Sequence, residues 1–394
     1  MRVLLIHNAY QLRGGEDAVV AAEAELLASA GHTVDIEIVS NDELSGPIAK
    51  ARAFLDAPYS KSRESWANTL VAKTGADIVH VHNFFPLLTL AVHTGAARAG
   101  AATVQTLHNY RLMCADARLL RNGNICEKCV TGSNIWGAIH RCYRGSIPGS
   151  VAAVRMQRYA RKHSILANDI HKFIALTDFA KEKFCEFGLS REKISIKPNF
   201  TSDPGSNLPD AGPRSGALFV GRLSEEKGAA TLVEAWKSIP GINLTVVGDG
   251  PCRAALEAAS PPNVMFTGAL PPDVVRRHMA QAALLVVPSI WYEPFGLVVI
   301  EAFAAGLPVA SSNIGSLPEL VRDGFNGKVF TAGDPVDLQR AVDAFFSADD
   351  HARFGENARR DYLELYSPIK NLNALENIYL EALEARRQQN ARIR

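Results

Sequence analysis

The stretch Glu293-Pro-Phe-Gly-Leu-Val-Val-Ile-Glu301 sets two carboxylates eight positions apart around Pro294-Phe295-Gly296 and an apolar run. Ahead of it, Ala283-Leu-Leu-Val-Val-Pro288-Ser289 reads as a buried parallel strand, and Gly296 to Ala305 reads as the helix that follows. Pro294 suits the first helical turn, where a missing N–H costs nothing. The free N–H groups of Phe295, Gly296 and Leu297 are then expected to face an anion beyond the strand end, best a diphosphate. From Pro294 to Glu301 such a helix covers about 10 Å. That is the reach from a diphosphate to a ribose, whose hydroxyls can both donate to one carboxylate. The plainer reading is a surface Glu and a helix-capping Glu on an ordinary βα unit.

The same strand-then-loop pattern recurs. Gly221-Arg-Leu-Ser-Glu-Glu-Lys227-Gly228 follows the apolar strand Ala217–Val220, and Val246-Val-Gly248-Asp-Gly250-Pro251 ends a strand beginning at Asn243. Gly14-Gly15-Glu16 follows the strand Val3 to Ile6. In order and spacing, these four segments resemble the retaining glycosyltransferases of family 4, and the resemblance covers essentially the whole chain. It implies an α/β chain of the GT-B fold, two Rossmann-like domains facing a central cleft. Residues 1–200 would bind the acceptor and 201–367 the nucleotide-sugar donor, while 368–394 would form a helix crossing back to the first domain. The implied activity is retaining hexosyl transfer from a UDP- or GDP-sugar to a hydroxyl of a glycan or lipid-linked saccharide, in cell-surface polysaccharide synthesis. No catalytic metal is implied.

Length and composition fit that expectation. The 394 residues suggest two domains, each able to bury its own core. With 42 basic against 41 acidic residues, the chain carries no polyanion-binding signature, which argues against a nucleic-acid partner. No apolar run is long enough for a membrane span, and the start reads as a first strand rather than a signal peptide. Six cysteines without an export signal point to reduced thiols in a cytoplasm.

Strands and helices alternate throughout. Strands are predicted at 2–7, 33–39, 77–81, 102–107, 172–176 and 194–197, then at 217–220, 243–247, 264–267, 284–287 and 308–311. In the first half, helices are predicted at 17–30, 88–99, 150–167 and 178–187. Such alternation implies parallel sheets covered on both faces. Asn199 to Ser215, rich in Pro, Gly, Ser and Asp, reads as the linker.

Roles for single residues follow from the resemblance. Arg222 and Lys227 match the pair that grips the donor diphosphate: a guanidinium forks onto phosphate oxygens and an ammonium adds a point charge. Glu293 would hold donor-sugar hydroxyls and Glu301 the ribose. Gly248 and Gly250 would let backbone approach the nucleotide, Phe266 to Leu270 would cradle the base, and Gly14 and Gly15 would lie along the sugar and phosphate. His108, ending Thr103-Val-Gln-Thr-Leu107, would touch the sugar near the reacting carbon. His80 and His82 are expected to shape the cleft. The catalytic set is therefore His108, Glu293, Arg222 and Lys227, and the family's mechanism is front-side displacement with no protein nucleophile. The bland alternatives are solvated loop charges, turn glycines and a structural histidine.

Two features lie outside that scheme. Cys114, Cys126, Cys129 and Cys142 contain one C-x-x-C pair, and three readings stay open: a structural zinc site clamping an insertion, reduced structural thiols, or a redox role. Between Val130 and Asn168 there is no acidic residue, while Arg155, Arg158 and Lys162 share a helical stripe with Arg161 beside it. That helix suits either plain solvation or peripheral contact with the anionic inner face of a cell membrane. Two other functions compete with transfer: a GT-B nucleotide-sugar epimerase, and a catalytically idle sugar-nucleotide-binding protein.

Overall fold

The computed structural model describes residues 1–11, 14–205, 213–348 and 351–393; of the expected linker, 206–212 lie outside them. The chain divides into two compact units. One comprises 1–119, 126–198 and 371–394, the other 120–125 and 199–370. The last helix, Pro368–Ile393, thus belongs almost entirely to the first unit.

The first unit holds strands β1 (Arg2–Ala9), β2 (Thr33–Ser40), β3 (Ile78–Asn83) and β4 (Ala102–Thr106). After the hairpin strands β5 (Leu120–Arg121) and β6 (Asn124–Ile125), β7 (Lys172–Ala175) and β8 (Ile194–Ile196) complete a parallel sheet of order β2-β1-β3-β4-β7-β8. The second unit repeats the design with β9 (Ala217–Val220), β10 (Leu244–Val247), β11 (Val264–Gly268), β12 (Leu284–Val287), β13 (Val309–Ser312) and β14 (Gly327–Phe330). Its parallel order is β11-β10-β9-β12-β13-β14. Central strands such as β3 and β12 are buried at every position, as helices on both faces require. Strand order reverses between β1 and β3 in one sheet and between β9 and β12 in the other. At such a reversal the loops leave toward opposite faces and open a crevice beyond the strand ends.

Several elements had too faint a pattern to be predicted, three of them parts of the main layers. The helix Lys61–Thr74 buries only Ala67 and Val71, the helix Gly46–Asp56 buries nothing, and β14 is four residues opened by a glycine. The helix predicted at 150–167 instead runs Ile147–Lys162, stops where Ser164 turns to φ +52°, and resumes at Ile165–Asn168.

Candidate functional site

In the second unit, the loops after β9 and β12 flank the reversal point. Gly228 carries the chain from the short turn Glu225–Lys227 into the helix Ala229–Trp236 at φ +67°, and a Cβ there would lie 1.8 Å from the Pro288 carbonyl oxygen. Only glycine lets these two loops meet. The meeting brings Lys227 Nζ to Glu293 Oε1 at 2.6 Å, with Ser289 Oγ donating to the same oxygen at 2.8 Å. Glu293 is buried and Lys227 half-buried beside the Trp291 ring. Among the described residues, Glu293 Oε2 makes no hydrogen bond, and exposed Arg222 makes no ion pair.

The helix after β12 begins later than its sequence suggests. It spans Leu297–Ala304, with Gly296 as N-cap at φ +140°, so Pro294 and Phe295 precede it. Pro294 is fixed instead through its carbonyl, which accepts from Ser316 Oγ at 3.2 Å, and the Phe295 ring is buried edge-on against Tyr366. The free first-turn N–H groups therefore shift along the chain, away from Phe295 and onto Leu297 and its successor. Gly248 and Gly250 also have a packing role inside the unit. A Cβ on either would strike the Gly221 or Leu223 carbonyl, at 1.9 and 2.4 Å, so their smallness serves the neighbouring loop.

Glu301 lines a cavity of about 930 Å³ with Val220, Leu270, Arg276 and Thr201. Surrounding protein pushes its carboxyl up to about 7, with Arg276 opposing. Water still reaches the side chain, so this is a concave wet site rather than a core position. A separate cavity of about 770 Å³, lined by Arg214, His351 and Arg359, contains none of the motif residues.

In the first unit, Gly14 caps the helix Gly15–Ser29, donating its N–H to Asp17 Oδ2 at 2.7 Å. Its φ of −127° is open to any residue, and a Cβ there would meet nothing closer than 4.0 Å. Among the described residues, nothing demands glycine at this position. Glu16 accepts from Asn109 Nδ2 at 2.9 Å, while its other oxygen is buried without a partner and burial lifts the carboxyl to about 7. His108 is nearly buried, its Nε2 2.9 Å from His82 Nδ1, the rings stacked at 5.2 Å. Burial holds His80, His82 and His108 well below the usual histidine range, hence neutral. Rather than shaping a cleft, His80 and His82 are fully buried, above Glu23 and Lys197. Neither Glu23 nor Lys197 carries a local sequence signal, and their pairing spans 174 positions.

The four cysteines gather in one region, and burial raises the Cys114, Cys129 and Cys142 thiols, the latter two to about 11. A zinc tetrathiolate needs neighbouring sulfurs about 3.8 Å apart. Among the described residues, the ligand atoms that converge within 4.8 Å as a group of three belong to Glu23, His80 and His82, with no cysteine among them. The placed thiols do not fit zinc. The basic helix is also partly used internally: Arg155 donates to the Phe54 carbonyl and stacks on its ring, and Arg161 stacks on Phe187 while staying exposed, as are Arg158 and Lys162. Among the described residues, no helix is long and apolar enough to cross a membrane.

Comparison with known proteins bears on both units. Residues 13–202 match the profile of Glycosyltransferase Family 4, and 210–361 that of Glycosyl transferases group 1. The two glycosyltransferase profiles together span most of the chain, and its fold is GT-B. It is similar to an uncharacterized glycosyltransferase of Methanocaldococcus jannaschii, 33% identical over 42% of this chain and 45% of that one. A glycogen synthase of Mycobacterium tuberculosis is 30% identical over 65% of each chain. The matches therefore span about half to two thirds of these relatives' lengths. The solved Anabaena HepE in complex with UDP superposes with TM-score 0.64 at 18% identity, covering 96% of this chain and 99% of that one.

Proposed function

We propose that this chain is a retaining hexosyltransferase that uses a nucleotide-sugar, with UDP as the first candidate nucleotide, and transfers to a hydroxyl of a glycan or lipid-linked saccharide in cell-surface polysaccharide synthesis. The observation that carries the reading is the Lys227–Glu293–Ser289 constellation at a strand-order reversal, with unpaired Arg222 on the same loop. An ammonium has three donors. Glu293 takes one and so aims Lys227, leaving the others for the departing diphosphate, which Arg222 also neutralises. Glu293 Oε2 is then available to a donor-sugar hydroxyl, Glu301 to the ribose, and the first-turn N–H groups beyond Gly296 to a phosphate oxygen. On Gly14, an unforced glycine suits close approach of the donor. Front-side displacement asks only for charge stabilisation and positioning. UDP in a protein of the same fold supports the choice of nucleotide.

The test is a panel of UDP-, GDP- and ADP-hexoses with the purified chain. We expect thermal stabilisation by one nucleotide class, acceptor-dependent nucleotide release, and retained anomeric configuration in the product. Failure of every nucleotide-sugar to bind, or inversion, would overturn the reading. A lipid-linked acceptor would bring Arg158 and Lys162 to an anionic surface; absence of co-sedimentation with anionic vesicles removes that part. We assign Cys114, Cys126, Cys129 and Cys142 to reduced structural thiols; stoichiometric zinc in chelator-free protein would reverse this.

A further inference from the structure

Beneath His108 runs a chain of polar groups that the donor chemistry does not use. Lys197 Nζ lies 2.5 Å from Glu23 Oε1, both side chains fully buried, and also donates to Asn371 Oδ1 at 3.3 Å. Glu23 Oε2 faces His82 Nε2 at 3.6 Å and His80 Nδ1 at 3.9 Å, and the Glu23 oxygen and His82 Nε2 are both buried without a hydrogen-bond partner, so that each is the nearest group able to satisfy the other. His82 Nδ1 in turn meets His108 Nε2 at 2.9 Å. To one side, His80 uses Nε2 on Thr106 Oγ1 and Nδ1 on the Tyr379 hydroxyl, at 2.7 and 2.9 Å.

The proton positions follow from the chemistry of the terminal group. A carboxylate facing an ammonium only accepts. The nitrogen turned toward it, His82 Nε2, therefore carries the hydrogen. A neutral imidazole has one donor and one acceptor, so His82 Nδ1 is bare and must accept from His108 Nε2–H. His108 is left with a bare Nδ1, which makes no hydrogen bond among the described residues. We propose that Glu23 and His82 are positioning residues that lock His108 in the tautomer whose Nδ1 offers a lone pair at the end of β4. The group His108 touches must then be a hydrogen-bond donor. A sugar hydroxyl fits and a phosphate oxygen is repelled. This deepens the proposed transfer reaction and rests on it for the role of His108, though not for the tautomer.

The 3.6 Å gap between Glu23 and His82 also has the span of two ligands on one divalent ion. Two observations favour a proton there. Lys197 already supplies the positive charge on the same carboxylate, and both His80 nitrogens are engaged elsewhere.

Long-range nitrogen-15 NMR on the full chain, labelled at histidine, reads the tautomers without any turnover. We expect His108 to show a bare Nδ1 and protonated Nε2, the same pattern for His82, and no change on adding EDTA. A His108 protonated at Nδ1, or a pattern altered by EDTA, overturns the proposal. In His82→Phe, His108 should lose its single tautomer and kcat should fall about tenfold or more, with donor KM held within about twofold. An unchanged kcat with unchanged His108 shifts also overturns it. A chain inert toward every nucleotide-sugar but carrying the expected pattern removes the transfer reading and leaves the lock standing.

Discussion

Lys197–Glu23 and Lys227–Glu293 are the same ion pair at nearly the same distance, 2.5 and 2.6 Å, in the two units. They differ in water. Both members of the first pair are sealed, whereas Lys227 keeps 31% of its side-chain surface. A sealed pair has paid its desolvation on folding and cannot exchange partners, so its charge acts only on what it already touches. A half-open pair can admit a third charge. One chemistry therefore serves as foundation in the first unit and, in the proposed reading, as a ligand-facing device in the second.

The largest expected effect is on the sealed pair. Lys197→Met leaves Glu23 a buried carboxylate without a countercharge, and should cost the first unit about 3–5 kcal/mol. The double variant Glu23→Gln/Lys197→Met should recover most of that. Denaturant unfolding measures both; a single-variant loss under ~1 kcal/mol would erase the contrast.

At the half-open pair the loss should fall on turnover instead. Lys227→Ala and Arg222→Ala should each lower kcat by about a hundredfold or more, some 3–4 kcal/mol of transition-state stabilisation. Stability should move by no more than about 1 kcal/mol. Near-normal rates at saturating donor would take both cations out of the reaction. Glu293→Gln should depress kcat, since it aims Lys227.

The smallest effect concerns Glu301. Its carboxyl is raised to about 7, so the ionised form, which in the proposed reading accepts ribose hydroxyls, dominates above that pH and is lost below it. Affinity for a UDP-sugar should therefore weaken as pH falls from 8 to 6, by about tenfold. Glu301→Gln should bind weakly at both pH values and lose the slope. A slope that persists in the variant assigns the titration to another group.

The alternation of apolar runs and glycine loops was enough to read two parallel sheets from the sequence, because a strand buried on both faces leaves a continuous apolar signature. The loop residues Arg222, Lys227 and Glu293 were singled out by the family resemblance, and they lie in the loops that follow those apolar signatures. Partnership was not legible. Nothing local links Lys227 to Glu293 across 66 positions, or Lys197 to Glu23 across 174, because the sheet order brings them together. The start of the helix at Leu297 was also missed: Pro294 is as compatible with an extended approach as with a first turn, and Gly296 at φ +140° decided it. Cysteine spacing gave a zinc-like pattern without the convergence that zinc requires, since spacing says nothing about where sulfurs point.

The last helix has a consequence for the order of folding. Leu375, Ile378, Tyr379 and Ala382 are buried in the same core as Val3, Leu5, Ala24 and Val104. The large ones among them contribute roughly 1.5–3 kcal/mol each, comparable in sum to the whole stability of a domain. During synthesis the other unit's residues 199–370 all emerge before the part of that helix that packs in the first unit, 371–393. At about 5–20 residues per second, those 172 residues keep the first sheet waiting for roughly 10–35 s. The half of the molecule made first is therefore the half that closes last, and until then its apolar face is open to whatever the cell provides to cover it.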